Sequence, residues 1–548
     1  MSPKRFFGIV LPVLLVTAGC LPASPGPTTT PAPGGDIVLR LPGGDFGYPS
    51  PFTYSRGPGY IRMSLIFDTL IWKDSEGLIP WLATSWETST DGLTWTFNLR
   101  DGVRWHDGRR LTADDVVFTF EYLKRQPAPL VRGVEFVQAV RRAGENRVEV
   151  VLSRPYGPFL VNVAGSVPIL PRHIWERVTD PLRFTGPEAL IGSGPYRLVS
   201  YDQASGAYLY EANPDFWLGK PYVRRIELVP VSDALVALEQ GAVDAASLPV
   251  EGGVPAEVVG RFERDPRFGV ISQPGEWNPA IHFNLAKGPP YSDPNFRRAW
   301  AYAIDREELV RRILQGLGQP GNPGWLAYSN PWRNPNVEQY PFDPEKARAL
   351  LDAAGYRDTN GDGIRELPDG RPLEVPLYFE SPAFVRVAEI IRDRLRAVGI
   401  ALAFRPADRN TMDALTAAGN YEVAIISYGG LGGDPDYLRQ IFSSRSPVRG
   451  FQRAHGYSNP QFDDLADRQL LTTDEATRRQ LVYEMQAIIA RDLPVLPLYY
   501  PTNYFIYRKG SFDAWYFTPG GVGPGVPTTW NKHALVTGAR KGLTIRGG

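Results

Sequence analysis

The sequence predicts an α/β protein, and two observations carry that prediction. Over roughly 200 residues in the second half of the chain, apolar patterns of helical period alternate with short apolar strands, as α/β domains do. The 548 residues include a single cysteine, so stability has to come from core burial. About 500 residues in two or three domains can supply it. No fixed-period repeat is visible.

The first strands are announced by PWLATSWETSTDGLTWTFNLRDGVRWHDGRRLTADDVVFTFEYLKR, residues 80–125. Leu93, Trp95, Phe97 and Leu99 alternate as a half-buried strand does, and Asp101-Gly102 and Asp107-Gly108 are hairpin signals. Thr112 with Asp115 three residues on opens a helix, whose apolar stripe is Val116, Val117, Phe120 and Leu123. Asp293-Pro294 caps a second helix. Asp305 with Glu308 opens the next, which runs to Leu314 before Gly316, and Asp343-Pro344 starts EKARALLDAAGY. The stretch Val387 to Val398 is an amphipathic helix that stops at Gly399 and feeds the strand IALAFRPAD. A last helix, Leu481 to Arg491, precedes the apolar run VLPLYY.

The N-terminus gives the address. Lys4 and Arg5 precede the short apolar run GIVLPVLLV, then TAGC. This is the layout of a secretory signal over residues 1–19, too short to cross a bilayer as a helix. Cys20 stands directly behind it, and the stretch resembles a bacterial lipoprotein signal in which Cys20 is diacylated. Thr17 departs from the usual Leu. Residues 20–35, rich in Pro, Thr, Gly and Ser, cannot bury a core and form a tether. Removal of the signal leaves 57 basic against 59 acidic residues. No basic stripe exists to hold nucleic acid.

Enzyme signatures are missing. There is no G-x-S-x-G, H-E-x-x-H, paired C-x-x-C or Walker A lysine. GLGQPG at 316–321 matches a dinucleotide fingerprint but ends a helix, and Pro320 blocks helix initiation. His106, His173, His282, His455 and His533 lack ligand spacing. A pair of carboxylates that meets only in three dimensions stays open. The run DTNGDGIRELPD, residues 358–369, spells most of a calcium loop: Asp358, Asn360, Asp362, the Ile364 carbonyl, and Glu366 or Asp369. Helix-like sequence precedes it and strand-like PLEVPLYFE follows, so it is not an EF-hand. A tight turn uses the same residues without metal. Structural calcium is the one cofactor the sequence admits, and none is required.

Four segments in order resemble the extracellular solute-binding protein family 5, the peptide-, nickel- and oligosaccharide-binding components of ABC importers. They are ATSWETSTDGLTWTFNLRDGVRWHDGRRLTADDVVFTFEYL, residues 191–246 from IGSGPYRLVSYDQ, residues 281–320 from IHFNLAKGPPYSD, and DPEKARALLDAAGY with the turn behind it. The resemblance implies a two-lobed periplasmic-binding-protein-like α/β receptor with an extra subdomain in the first lobe. Residues 36–83, 193–283 and 510–548 would form lobe one, 84–192 the inserted subdomain and 284–509 lobe two. Phe283, Asn284 and Lys509 would mark the hinge. The implied protein is a monomeric lipoprotein on the outer face of a bacterial cytoplasmic membrane, in periplasm or at the cell surface. It would capture a solute, close and be read by ABC permease subunits.

The resemblance also points to EVAIISYGGLGGDPDYLRQIF, residues 422–442, as the specificity segment. Peptide-binding relatives carry a motif like W-x-x-D-Y-x-D-P, whose first Asp pairs with the ligand's ammonium. Here Leu431 stands at that place, and Asp434 could serve only with a gap. Gly429 and Gly430 would let backbone approach the ligand. Tyr54, Tyr60, Trp277, Trp325, Tyr428 and Tyr437 are candidate walls, with Trp277, Tyr428 and Asp434 foremost. An oligopeptide or a related cationic or neutral solute is the expected ligand, with oligosaccharide the runner-up. A secreted hydrolase and a calcium-dependent adhesin are the readings from other classes.

If the 358–369 loop holds structural calcium, the thermal midpoint in millimolar calcium exceeds that in chelator; coincident midpoints would exclude it.

Overall fold

The computed structural model describes residues 36–248, 255–276, 278–428, 433–446 and 453–540. Cys20, Trp277, Gly429 and Gly430 lie outside the described residues, as does the tether up to residue 35.

The helix starts read from the sequence are where the side chains put them. Thr112 and Asp115 form a reciprocal capping box on the helix Ala113–Arg125. Asp293, Asp305 and Asp343 each accept a backbone N–H of the first turn, on Pro294–Ala303, Arg306–Ile313 and Pro344–Ala353. The last long helix begins earlier than expected, at Glu475, because Asp474 caps it and its first turns are polar.

Lobe one holds a four-stranded sheet in the order Ile37–Pro42, Val223–Val229, Ala207–Ala212, Tyr196–Asp202, parallel only in its first pair. The inserted subdomain is an antiparallel sheet in the order Ala83–Thr88, Thr94–Leu99, Arg147–Leu152, Val137–Gly144. One apolar cluster runs through both, from Leu39 and Tyr210 to Phe97, Phe120 and Phe159.

Lobe two is a five-stranded mixed sheet in the order Ala401–Ala407, Glu374–Glu380, Val423–Tyr428, Asn278–Phe283, Val495–Pro497. Strand period decides its two cores. Ile281, Phe283, Val423 and Ile425 face one helical layer; Ala280, Ala424 and Ile426 face the other.

These sheets correct the expected boundaries. Phe283 is fully buried in the lobe-two core, and the Asn284 amide donates to the Gly419 and Tyr421 carbonyls at 2.9 and 2.8 Å inside that lobe. Lys509 lies beyond the other crossing, its N–H donating to Arg267 in lobe one. The run VLPLYY does not form one strand. Val495–Pro497 belongs to the lobe-two sheet, while Tyr499–Arg508 pairs with Ala245–Ser247 and Phe268–Pro274 in lobe one. The chain therefore passes between lobes after Gly275 and Glu276 and again around 498–502. The two passages run side by side. The Gly275 N–H donates to the Pro501 carbonyl at 2.9 Å, and the Leu498 N–H to Pro279 at 2.9 Å. A Cβ on Gly275 would stand 2.1 Å from the Pro501 oxygen, so only glycine lets the two strands approach.

The C-terminal segment returns to lobe one and is fixed by a buried ion pair. Lys532 Nζ lies 2.9 Å from Asp68 Oδ1, with neither side chain exposed, and 4.1 Å from the centre of the Trp72 ring. Asp68 also accepts from the Trp81 indole at 2.6 Å and the Ser193 hydroxyl at 3.1 Å. Its lone pairs are thus used, as burial of a charge demands. Lys532→Met alone should cost about 3–5 kcal/mol by stranding the Asp68 carboxylate. Lys532→Met with Asp68→Leu should cost less than the two single changes summed. Denaturant titration of all three variants checks this; additive losses would contradict it.

Candidate functional site: the interlobe cleft

Between the lobes, the lobe-two segment 433–446 faces the inserted subdomain and the C-terminal loop of lobe one. Gly433 has φ 64°, and a Cβ there would stand 2.3 Å from the Gly520 carbonyl oxygen. The Gly157 N–H of the subdomain donates to Leu470 of lobe two at 2.7 Å. Arg132, from the subdomain, donates to the Gln440 side chain of the helix Asp436–Phe442. The lobes are in contact.

Asp434 sits at this contact, but its charge is already taken. Arg478 holds it through a two-pronged pair, Nη1 to Oδ2 at 2.8 Å and Nη2 to Oδ1 at 2.6 Å, and both side chains are less than a tenth exposed. The Asp436 N–H adds a bond to Oδ1 at 2.8 Å. Fork-on-fork geometry is the strongest arrangement these groups have, so Asp434 is not free to take a ligand ammonium. Asp436 is likewise paired, with Arg439 at 2.6 Å and Gln469 at 2.9 Å. Those partners outweigh burial and hold its carboxyl below the ordinary value.

Several expected wall aromatics are core. Tyr60 is fully buried, donates to the Ser166 carbonyl at 3.1 Å and packs edge-to-face on Tyr54. Tyr54 is 3 % exposed and its hydroxyl donates to the Pro129 carbonyl. Trp325 is fully buried inside lobe two, edge-on to Phe442 and His282. Each ring fills space that a folded core had to fill. Tyr437 rides on the helix Asp436–Phe442 and packs against the lobe-two core, where burial pushes its phenol up. The backbone of Tyr428 pairs with Asn278, at the cleft end of its strand.

A cavity of about 750 Å³ opens beside the paired passages. Leu248, Tyr504, Phe517 and Trp530 give it apolar walls; Arg56, Arg132, Gln273, Glu276 and Asn503 supply the polar positions. Arg56 adopts a left-handed φ of 57°, which a non-glycine residue holds only under constraint from its surroundings. Two charged residues escaped sequence reasoning. Lys73 ends the strand Ile71–Lys73, is 8 % exposed, and has no hydrogen-bond or ion-pair partner for its ammonium among the described residues. Burial brings its pKa down to about 8, while the charges of Asp434 and Glu276 hold it up. Burial raises the Glu276 carboxyl, and Lys73 lowers it. Neither residue belongs to a motif; a lysine in an apolar strand, IWK, was the sole trace.

Away from the cleft, the 358–369 turn gathers only part of its expected set. Single oxygens of Asp358, Asp362 and Glu366 lie within 4.8 Å of one another. The Asn360 amide donates to Asp362 at 3.1 Å and Glu366 at 2.9 Å, between those carboxylates. The Ile364 N–H donates to Asp362 at 2.7 Å. Asp369 has turned away to pair with Arg371 at 2.7 Å, because that arginine stands two residues along the same turn.

This architecture, two α/β lobes joined by paired strands with a walled cavity beside the joint, defines a binding protein of the two-lobed type. The chain belongs to the bacterial extracellular solute-binding proteins, family 5, whose family model matches residues 77–449. It is 28 % identical over 464 residues to the dipeptide-binding protein of Escherichia coli, covering 79 % of this chain and 82 % of that one. Among solved structures, NikZ of Campylobacter jejuni in complex with Ni(L-His) is similar at TM-score 0.72 and 26 % identity, covering 86 % of this chain and 94 % of that one. The mannohexaose-bound periplasmic oligopeptide-binding protein of Thermotoga maritima is similar at TM-score 0.69 and 25 % identity, over 92 % and 97 %. No helix among the described residues is long and apolar enough to cross a membrane.

Proposed function

We propose that this chain is the substrate-binding component of an ABC importer, which captures an oligopeptide or related solute between its lobes and presents it to the permease. The observation that carries this is the two-lobed fold with its adjacent passages, beside which a cavity of about 750 Å³ opens against lobe one. The paired passages at Gly275, Glu276 and 498–502 support a hinge there. Family membership and the dipeptide-binding relative support the ligand class. The mannohexaose-bound relative and the aromatic wall support oligosaccharide as the second reading.

The signal layout supports secretion and diacylation at Cys20, with residues 20–35 as the tether that keeps a monomeric receptor near its permease. The acidic trio Asp358, Asp362 and Glu366 supports structural calcium in the 358–369 turn, remote from transport chemistry. A receptor of this kind performs no reaction on its cargo. That separates it from a hydrolase.

Native mass spectrometry of the purified protein tests the proposal. A retained peptide ladder, unchanged on standing, is the expected result, and a sugar mass would promote the second reading. Appearance of cleaved product would overturn the receptor assignment.

A further inference from the structure

We propose that the inserted subdomain is a catch for lobe two: Leu470 of lobe two plugs into it, and Arg132 ties it to the helix Asp436–Phe442. This rests on the receptor reading above and deepens it, because it assigns part of the hold on the closed form to contacts the chain makes with itself.

Leu470 stands one residue from the end of the helix Pro460–Leu471, yet its side chain belongs to neither lobe-two core. It is 5 % exposed and lies in the apolar cluster that runs through lobe one and the subdomain, the one lobe-two residue among that cluster's described members. The backbone is held at the same place. The Gly157 N–H of the subdomain donates to the Leu470 carbonyl at 2.7 Å, one of the helix-end carbonyls that its own helix leaves without a donor. A Cβ on Gly157 would stand 2.4 Å from the Thr472 oxygen and 3.0 Å from Arg478 Nε. The φ of Gly157 is not positive, so space rather than conformation calls for glycine there. A second subdomain turn meets the same segment, where a Cβ on Gly92 would stand 3.2 Å from Thr473 Cγ2.

Arg132 supplies the polar half. From the lining of the cavity it donates to Gln440 Oε1, and the Gln440 amide donates to Asp436 at 3.1 Å. Asp436 also accepts from Gln469, the residue before Leu470, at 2.9 Å. Plug and tie therefore share one buried network in lobe two, and its subdomain end lines the cavity. Separation of the lobes returns Leu470 to water and breaks both cross-lobe hydrogen bonds, so this contact favours the closed form with no ligand present. A ligand then has less of the closing free energy to supply.

The test uses the full, ligand-stripped chain with Cys20→Ser, which removes its single native thiol, and adds Gly92→Cys with Thr473→Cys. The close approach of a Cβ at residue 92 to the Thr473 side chain puts the pair within reach of a disulfide. Diamide oxidises the two thiols, and the rate of intramolecular crosslinking is read on non-reducing gels. Adding Leu470→Ser or Arg132→Met should slow crosslinking by about tenfold or more. If Leu470→Ser fails to fold, Arg132→Met, a change at an exposed side chain, carries the test alone. A lower denaturation midpoint for Leu470→Ser with an unchanged crosslinking rate would make Leu470 plain core and overturn the plug. Unchanged rates in both variants, or no crosslink in the parent pair, overturn the catch altogether. The receptor reading would then still stand on the retained ligand seen by mass spectrometry.

Discussion

Everything in this molecule hangs on a two-stranded joint. The chain leaves lobe one at Gly275, enters the lobe-two sheet at Asn278, and comes back between Leu498 and Thr502 directly alongside. Because the passages are hydrogen-bonded to each other, a bend in one would carry the other with it. Tyr499 packs in the lobe-two core while Phe505 and Tyr507, on the same strand, pack in lobe one. The joint is therefore clamped at both ends by close-packed cores, which leaves little compliance elsewhere. A ligand beside this joint acts with the greatest leverage. To swing an open–closed balance from 1:99 to 99:1 it must favour the closed form by about 5.5 kcal/mol.

Charge pairing divides the labour around that cleft. Asp68 and Lys532 are sealed in lobe one and anchor the C-terminal return. Asp434 and Arg478 are sealed in lobe two and shape the surface that meets the subdomain. Buried pairs of this kind contribute little net stability, but losing either partner is costly. Lys73 and Glu276 form no such sealed pair among the described residues.

Local rules in the sequence were legible and long-range ones were not. Thr112 with Asp115, and aspartates 293, 305 and 343, act within one helical turn, and each caps where its spelling says. Alternation along Leu93–Leu99 likewise reports a strand that buries one face. The crossings between the lobes' sheets lie a few residues from Phe283, Asn284 and Lys509, because Asn278–Phe283 and VLPLYY look the same whichever lobe's sheet they join. Asp434 looked like a ligand carboxylate because its partner Arg478 stands 44 residues on, outside any local pattern. Tyr54, Tyr60 and Trp325 were offered as walls, yet an aromatic serves a core and a cleft equally well in one dimension.

Small-angle scattering on the protein as purified, and again after its ligand has been stripped by partial unfolding and refolding, bears most directly on the receptor account. A smaller radius of gyration in the loaded protein than in the stripped one, restored when the released ligand is added back, is the predicted result. An identical radius in both states, with ligand occupancy verified in the loaded sample, would contradict closure about the joint formed by the two passages.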